Sequence, residues 1–273
     1  MLQDKSMLAD LTIHRWTALK HDRAVSAQVE QSHGAKDAGR YNKQLIDKSY
    51  LAKIDESGNA LRKYHNAHTL AWSDRGARLL PSKLFMDYRN GVADLKRQRR
   101  IAVDEFIAVY PQLVANARLR LNTMFQPEDY PPVEVLSKSF DVDLEIMPVP
   151  NSEDFRVSVA KETQDEIRQQ IADSINSRQA GAVKECWSRV REVVTRISDQ
   201  CGKENGRIHD SLISNAADLV NILDGLNITN DPELSAIGRE IRDMLVSADQ
   251  LRVNAVTRKR VAETADAILR KIQ

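Results

Sequence analysis

Between residues 159 and 201 the chain carries one unbroken amphipathic pattern, with no proline and a single glycine, Gly181. Apolar residues recur at Ile167, Ile171, Ile175, Ala182, Cys186 or Trp187, Val190, Val194, Ile197 and Cys201. Steps of three, four and seven place them on one stripe of an α-helix. At the usual rise per residue that helix would be about 60 Å long. It has no means of burying its own stripe, so it requires partner helices, from this chain or another.

The same period predicts further helices. Over residues 82–125 the apolar positions are Leu84, Tyr88, Val92, Leu95, Ile101, Phe106, Val109, Leu113, Ala117 and Leu121. Pro111 lies inside this run and, lacking an N–H, is expected to kink or end the helix near Val109. Residues 41–70 predict one or two helices, with Ser57-Gly58-Asn59 as the break, and residues 23–30 a short one. Residues 32–39 and 72–76 read as loop and turn, and Pro81 with Ser82 opens a new helix. Gly202 and Gly206 mark the end of the long helix, and residues 207–223 form the next. Gly225 to Asn230 breaks that one. Asp231-Pro232-Glu233 starts another, with Asp as N-cap and Pro in the first helical position. It runs through Leu234, Ile237, Ile241 and Leu245, with a continuation to Ile272.

The pattern changes over residues 126–154, which hold five prolines. Phe140 to Ile146 alternates apolar and acidic residues, as a half-exposed strand does, and residues 155–159 alternate again. The two read as a β-hairpin. A two-stranded ribbon is marginal alone, so it must pack on helices or gain a third strand. Residues 7–16, a short strand or an early helical turn, are the candidate.

The fold class is therefore mainly α: an elongated helical bundle or antiparallel coiled coil with a small β-hairpin, extensible to a three-stranded sheet. Three regions follow, 1–125, 126–160 and 161–273, read as one continuous structural unit. The long helix is expected to pack antiparallel against residues 82–125 or against the C-terminal helices.

Composition agrees. Only 10 glycines and 8 prolines interrupt 273 residues, and 42% are apolar, so the chain is helical and ordered rather than disordered. A net charge of +1 favours no class of partner in bulk. Cys186 and Cys201, fifteen residues apart on one helix, would sit about 22 Å apart, beyond disulfide reach. Free thiols suit a reducing compartment. The N-terminal residues lack a signal-peptide pattern and no apolar run approaches a membrane span, so the expected location is cytoplasmic, without membrane contact.

Local charge is less even. Residues 82–120 hold eight basic against four acidic side chains, net +4. Arg89, Lys96, Arg97, Arg99 and Arg100 are the candidate nucleic-acid contacts on a basic helix face, although an ordinary solvated face is the favoured reading. No stacking aromatics interleave with them. Residues 128–154 hold eight acidic side chains against Lys138, net −7. Asp141, Asp143 and Glu145 share one strand face; self-repulsion that keeps an exposed strand soluble is the favoured reading, binding of a basic partner the candidate function, and a divalent cation the least favoured. His65 and His68 form an H-x-x-H pair that lacks the glutamate of a metalloprotease helix and any nearby cysteine pair, so no metal or cofactor is assigned. There is no phosphate-cradling glycine loop and no G-x-S-x-G, and no catalytic residue is named.

Leu11-Thr12-Ile13-His14-Arg15-Trp16, the WSDRGARLLP run of residues 72–81, the FIAVYP run of residues 106–111 and the Pro-Val-Pro at 148–150 appear in this order. The order resembles an uncharacterised domain-of-unknown-function family of tailed phages, plasmids and proteobacteria. The resemblance implies a mobile-element context, beside genes for MoxR-type AAA+ ATPases and von Willebrand A-like proteins, and an accessory or adaptor role. It carries no functional residues. The expected function is a non-enzymatic helical interaction or scaffold protein. Its expected partner is another protein, which the resemblance suggests is an AAA+ ATPase, or a further copy reached through helices. Nucleic-acid binding through residues 96–100 is the alternative, and a metal-dependent enzyme the second alternative.

Overall fold

The computed structural model describes residues 2–73, 76–154, 161–203 and 206–272. In chain order its main elements are α1 (Leu2–Lys5), β1 (Ser6–Ile13), β2 (Leu19–His21), α2 (Arg23–His33), β3 (Asn42–Gln44), α3 (Ala52–His68), β4 (Arg78–Pro81), α4 (Phe85–Leu121), α5 (Val133–Lys138), β5 (Val142–Pro148), α6 (Lys161–Gly202), α7 (Asp210–Leu226), α8 (Pro232–Met244), α9 (Ala248–Val253) and α10 (Ala255–Lys271). The protein is mainly α-helical. A three-stranded sheet has the order β4-β1-β5, and a two-stranded sheet joins β2 to β3. Residues 7–16 do supply a strand, β1. The expected hairpin partner, residues 155–159, lies outside the described residues. Among the described residues no helix is long and apolar enough to cross a membrane.

The chain divides into two units that interleave along the sequence. One comprises residues 1–10, 64–90 and 144–273. Here β1 pairs antiparallel with β4, Ser6 opposite Pro81 and Ala9 opposite Arg78. The 42-residue α6 lies antiparallel to α10, because Arg191 meets the carbonyl of Ile272, Ser198 meets Asp266, and Gln200 meets Arg258. Ala182, Cys186, Val190, Val194, Ile197 and Cys201 are buried along this stretch of α6, as are Val261, Ala265 and Ile268 on α10. α7 and α8 pack on each other, and α7 on α6. Close approach is needed at Gly225, where a Cβ would come within 2.3 Å of the Leu84 side chain.

The other unit comprises residues 11–63 and 91–143. Its core joins Leu45, Ile46, Leu51 and Ile54 to Val103, Phe106, Tyr110 and Leu113 of α4, with Tyr130, Leu136 and Phe140 closing it. Edge-on aromatic pairs, Trp16 with Tyr110 and Phe106 with Phe140, fix the ring packing.

Three local expectations are corrected. α3 runs unbroken through Ser57-Gly58-Asn59: Gly58 is buried, and a Cβ there would lie 3.2 Å from Arg99, so its small size makes room for a neighbour. α4 continues through Pro111, because Phe106, Tyr110, Leu113 and Ala117 on either side of it are buried in one core, and that packing outweighs the missing hydrogen bond. The last helix does not run from Asp231 to Ile272. Asp231 does cap α8, accepting from the Glu233 and Leu234 amides. Ser247 and Asn254 then cap α9 and α10 afresh, accepting from the amides of Gln250 and Thr257.

Candidate functional site

The basic run of α4 is divided between different tasks. Arg99 is buried, 3% exposed. Its guanidinium donates to the carbonyls of Phe140 (2.9 Å), Ile54 (2.7 Å) and His14 (2.8 Å) and to Ser57 Oγ (3.1 Å). Burial holds its pKa below the usual arginine range, and these acceptors compensate the buried charge. It ties α4 to residues 54–57 of α3 and to the segments ending at His14 and Phe140, all within the unit of residues 11–63 and 91–143. Lys96 donates to the Val142 carbonyl at 2.6 Å. Arg97 pairs with Asp94 and Arg100 with Asp104 on the helix surface. Arg89 is exposed, in the first turns of α4. A signal for Arg99 was present in the sequence: it stands seven residues after Val92 and four before Val103, on the apolar face.

Asp141, Asp143 and Glu145 are all exposed, at and just before β5. Asp143 Oδ2 meets His14 Nε2 at 2.8 Å, and the Asp141 carbonyl accepts from the His14 amide. His65 Nδ1 lies 2.7 Å from the Tyr88 hydroxyl in a buried pair, whereas His68 stacks on Tyr64 and bonds its carbonyl. Burial, then the charge of Arg78, pushes His65 down to about 4. Among the described residues no three His, Cys, Asp or Glu side chains are grouped to hold a metal ion. Cys186 and Cys201 are free and buried, and burial raises the Cys186 thiol to about 11, away from nucleophilic character.

Two polar clusters escaped the sequence reading. Lys43 on β3, 2% exposed, is ion-paired with Asp129 at 2.7 Å and Asp22 at 3.8 Å and donates to the Met124 carbonyl. It anchors β3 to the segment after α4. The second cluster seats α6. Glu185 accepts from Arg78 (2.9 Å), from Arg189 (2.5 Å) and from the Ala71 amide. Burial pushes Glu185 up, but Arg189, the Ala71 amide and Arg78 together outweigh it and hold the carboxyl below the usual range. Arg189 also donates to the carbonyls of Ala67 and Thr69. Two turns before Glu185, Arg178 donates to the Trp72 carbonyl and lies over its ring. These contacts fasten the middle of α6 to the segment that follows α3.

N-terminal to that fastening the helix is less covered. Ile167, Ile171 and Ile175 are neither buried nor fully exposed. With Gln170, Ser174 and Arg178 they form one side of a groove of about 350 Å³, whose other walls are Trp72 and Pro150. The groove is a continuation of the stripe that α10 covers further along the same helix. A long apolar strip rimmed by polar side chains is the arrangement by which one helix receives another.

Set beside family models, curated proteins and solved structures, the chain matches none.

Proposed function

We propose that this chain is a non-enzymatic helical interaction protein, an adaptor of the cytoplasm encoded on a phage or plasmid, whose contact surface is the half of α6 that the described residues cover only in part. The observation that carries this reading is the Ile167-Ile171-Ile175 stripe. It continues a seam buried along residues 182–201, yet α10 does not reach it, since Ile272 at the end of α10 already meets Arg191. An apolar strip held by a fastened, regular helix is pre-organised, so little ordering entropy opposes docking. The resemblance to the phage and plasmid family supports an AAA+ ATPase of the MoxR type as one protein it serves.

Light scattering tests the reading. The pure protein is measured alone and then mixed with the ATPase encoded beside its gene. A mass above the 30.9 kDa of one chain is expected in at least one of the two samples, and Ile171→Glu removes it. Masses that stay at one chain in both samples, or assemblies that Ile171→Glu leaves intact, refute the proposal.

A further inference from the structure

Ile54, Asp55, Gly58, Asn59 and Arg62 recur along α3 at the spacing of one helix face. With Ile13 at the end of β1, Arg15 just after it and Arg99 from α4, they line a cavity of about 140 Å³. All of them belong to the unit of residues 11–63 and 91–143. Gly58 leaves the space: a Cβ there would lie 3.2 Å from Arg99 Nη1 and 3.8 Å from Arg62 Nη1. Two guanidiniums therefore border one opening. Arg99 stands at its buried end, and Arg15 and Arg62 are exposed at its mouth.

The charges around this cavity do not cancel. Asp55 is the one carboxylate lining it, and Arg15 meets that group at 2.8 Å. Among the described residues Arg62 bonds only Asn59 Oδ1, at 3.2 Å, and Arg99 only carbonyl oxygens and the Ser57 hydroxyl. Such dipoles solvate a guanidinium but bring no opposite charge. Burial, then the charge of Arg62, holds Arg99 below the usual arginine range, with Asp55 acting the other way. Two uncompensated positive charges are left, beside the apolar walls of Ile13 and Ile54, where a lower dielectric strengthens attraction. Donors are at hand as well, since Arg15 and Arg62 each use one of the five N–H groups of a guanidinium.

We infer that this cavity is an anion site for a phosphoryl group, either inorganic phosphate or the end of a phosphate monoester, bound by Arg62 and Arg99 with Arg15 at the rim. Size and charge select that class. Pockets for whole small molecules run to about 300–1,000 Å³, so this one suits a single phosphoryl group rather than a nucleotide. Phosphate and its monoesters are largely dianionic near neutral pH, which matches two free charges. The planar guanidinium fork presents paired N–H groups to two phosphate oxygens at once. A carboxylate brings a single charge and is the weaker ligand. The site is built on α3 and α4 and not on α6, so it stands or falls apart from the interaction reading.

Calorimetric titration of the full chain with inorganic phosphate, phenyl phosphate and acetate, at fixed ionic strength, tests the site. Phosphate should bind one to one, and acetate at least about tenfold more weakly. Arg62→Gln, at an exposed position, should weaken phosphate by about tenfold or more, the share of one charge-assisted contact. Lys63→Gln removes the same charge one position along, outside the cavity, and should leave affinity within about twofold. Asp55→Asn takes away the lining carboxylate and frees Arg15, so it should tighten binding, which a loss of structure would not do. Phenyl phosphate bound as well as phosphate identifies the end of a larger molecule as the occupant; phosphate bound and phenyl phosphate refused identifies the free ion. No saturable phosphate binding up to about 10 mM overturns the site. Equal losses in Arg62→Gln and Lys63→Gln, or acetate bound as tightly as phosphate, overturn it too.

Discussion

The two halves of α6 are one helix with one periodicity and opposite fates. From Ala182 to Cys201 the stripe residues Ala182, Cys186, Val190, Val194, Ile197 and Cys201 are at most 4% exposed, on a helix against which α10 and α7 pack. From Ile167 to Ile175 the same spacing meets only a partial wall. The hydrophobic pattern states that a face is to be covered; it does not state by what, or whether the cover belongs to the same chain. At the boundary sit Arg178 on Trp72 and Glu185 between Arg78 and Arg189, polar contacts that fix the helix in place without covering its apolar face. The difference is therefore one of supply: among the described residues, the chain provides a partner for one half and a seat for the middle, and covers the first half only in part.

The comparison breaks most sharply under core truncation. Ile197→Ala in the covered half should lose about 3 kcal/mol of unfolding free energy, the transfer and cavity terms for a fully buried isoleucine, seen as a lowered urea midpoint. An effect below about 1 kcal/mol would mean that α10 does not seal this half.

Acid probes the seat. His65 is joined through its carbonyl to Thr69, whose own carbonyl receives Arg189 of α6. With its folded pKa lowered to about 4, His65 is held neutral, and the unfolded chain binds the proton more readily. Its contribution is therefore complete above the ordinary histidine range and declines as pH falls from about 6.5 towards 4, by about 2 kcal/mol at pH 5. The thermal midpoint of His65→Gln should fall less steeply than that of the native chain over this interval. Parallel slopes would show that another group governs the acid response. Glu185→Gln tests the same seat from the helix side. It leaves Arg78 and Arg189 facing a neutral amide and should lose about 1–2 kcal/mol, with the charge partners partly solvated. A variant as stable as the native chain would show that the seat holds without the carboxylate.

How much of this was written in the sequence depends on whether a feature is local. α6 was legible because a run this long, with no proline and only Gly181 inside it, admits one regular structure, and the Asp231-Pro232 start of α8 because capping is decided within four residues. The alternating run that became β5 was legible for the same reason. Ser57-Gly58-Asn59 misled because small polar residues serve two ends, turning the chain or making room for Arg99, and only the tertiary partner tells which. Arg99 itself was grouped with Lys96, Arg97 and Arg100 by adjacency in sequence, although its helical phase set it apart from them. Lys43 and Glu185 are charged residues whose partners lie 86 and 107 positions away, at Asp129 and Arg78, and no local pattern holds that information. The interleaving of the two units has the same origin.

The smallest effect separates the halves most finely. Ile171→Ala removes the same atoms as Ile197→Ala, but from a side chain still partly in water, so in dilute solution it should lose less than about 1 kcal/mol. If a second chain covers Ile171, association adds to stability by mass action, and that addition rises with protein concentration. The deficit of Ile171→Ala relative to the native chain should then widen as both are concentrated, whereas the deficit of Ile197→Ala stays fixed, its cover being intramolecular. Urea midpoints at two protein concentrations give the answer. A deficit at Ile171 that is small and independent of concentration would mean the stripe tolerates water unaided, and the contrast between the two halves would then concern packing density alone.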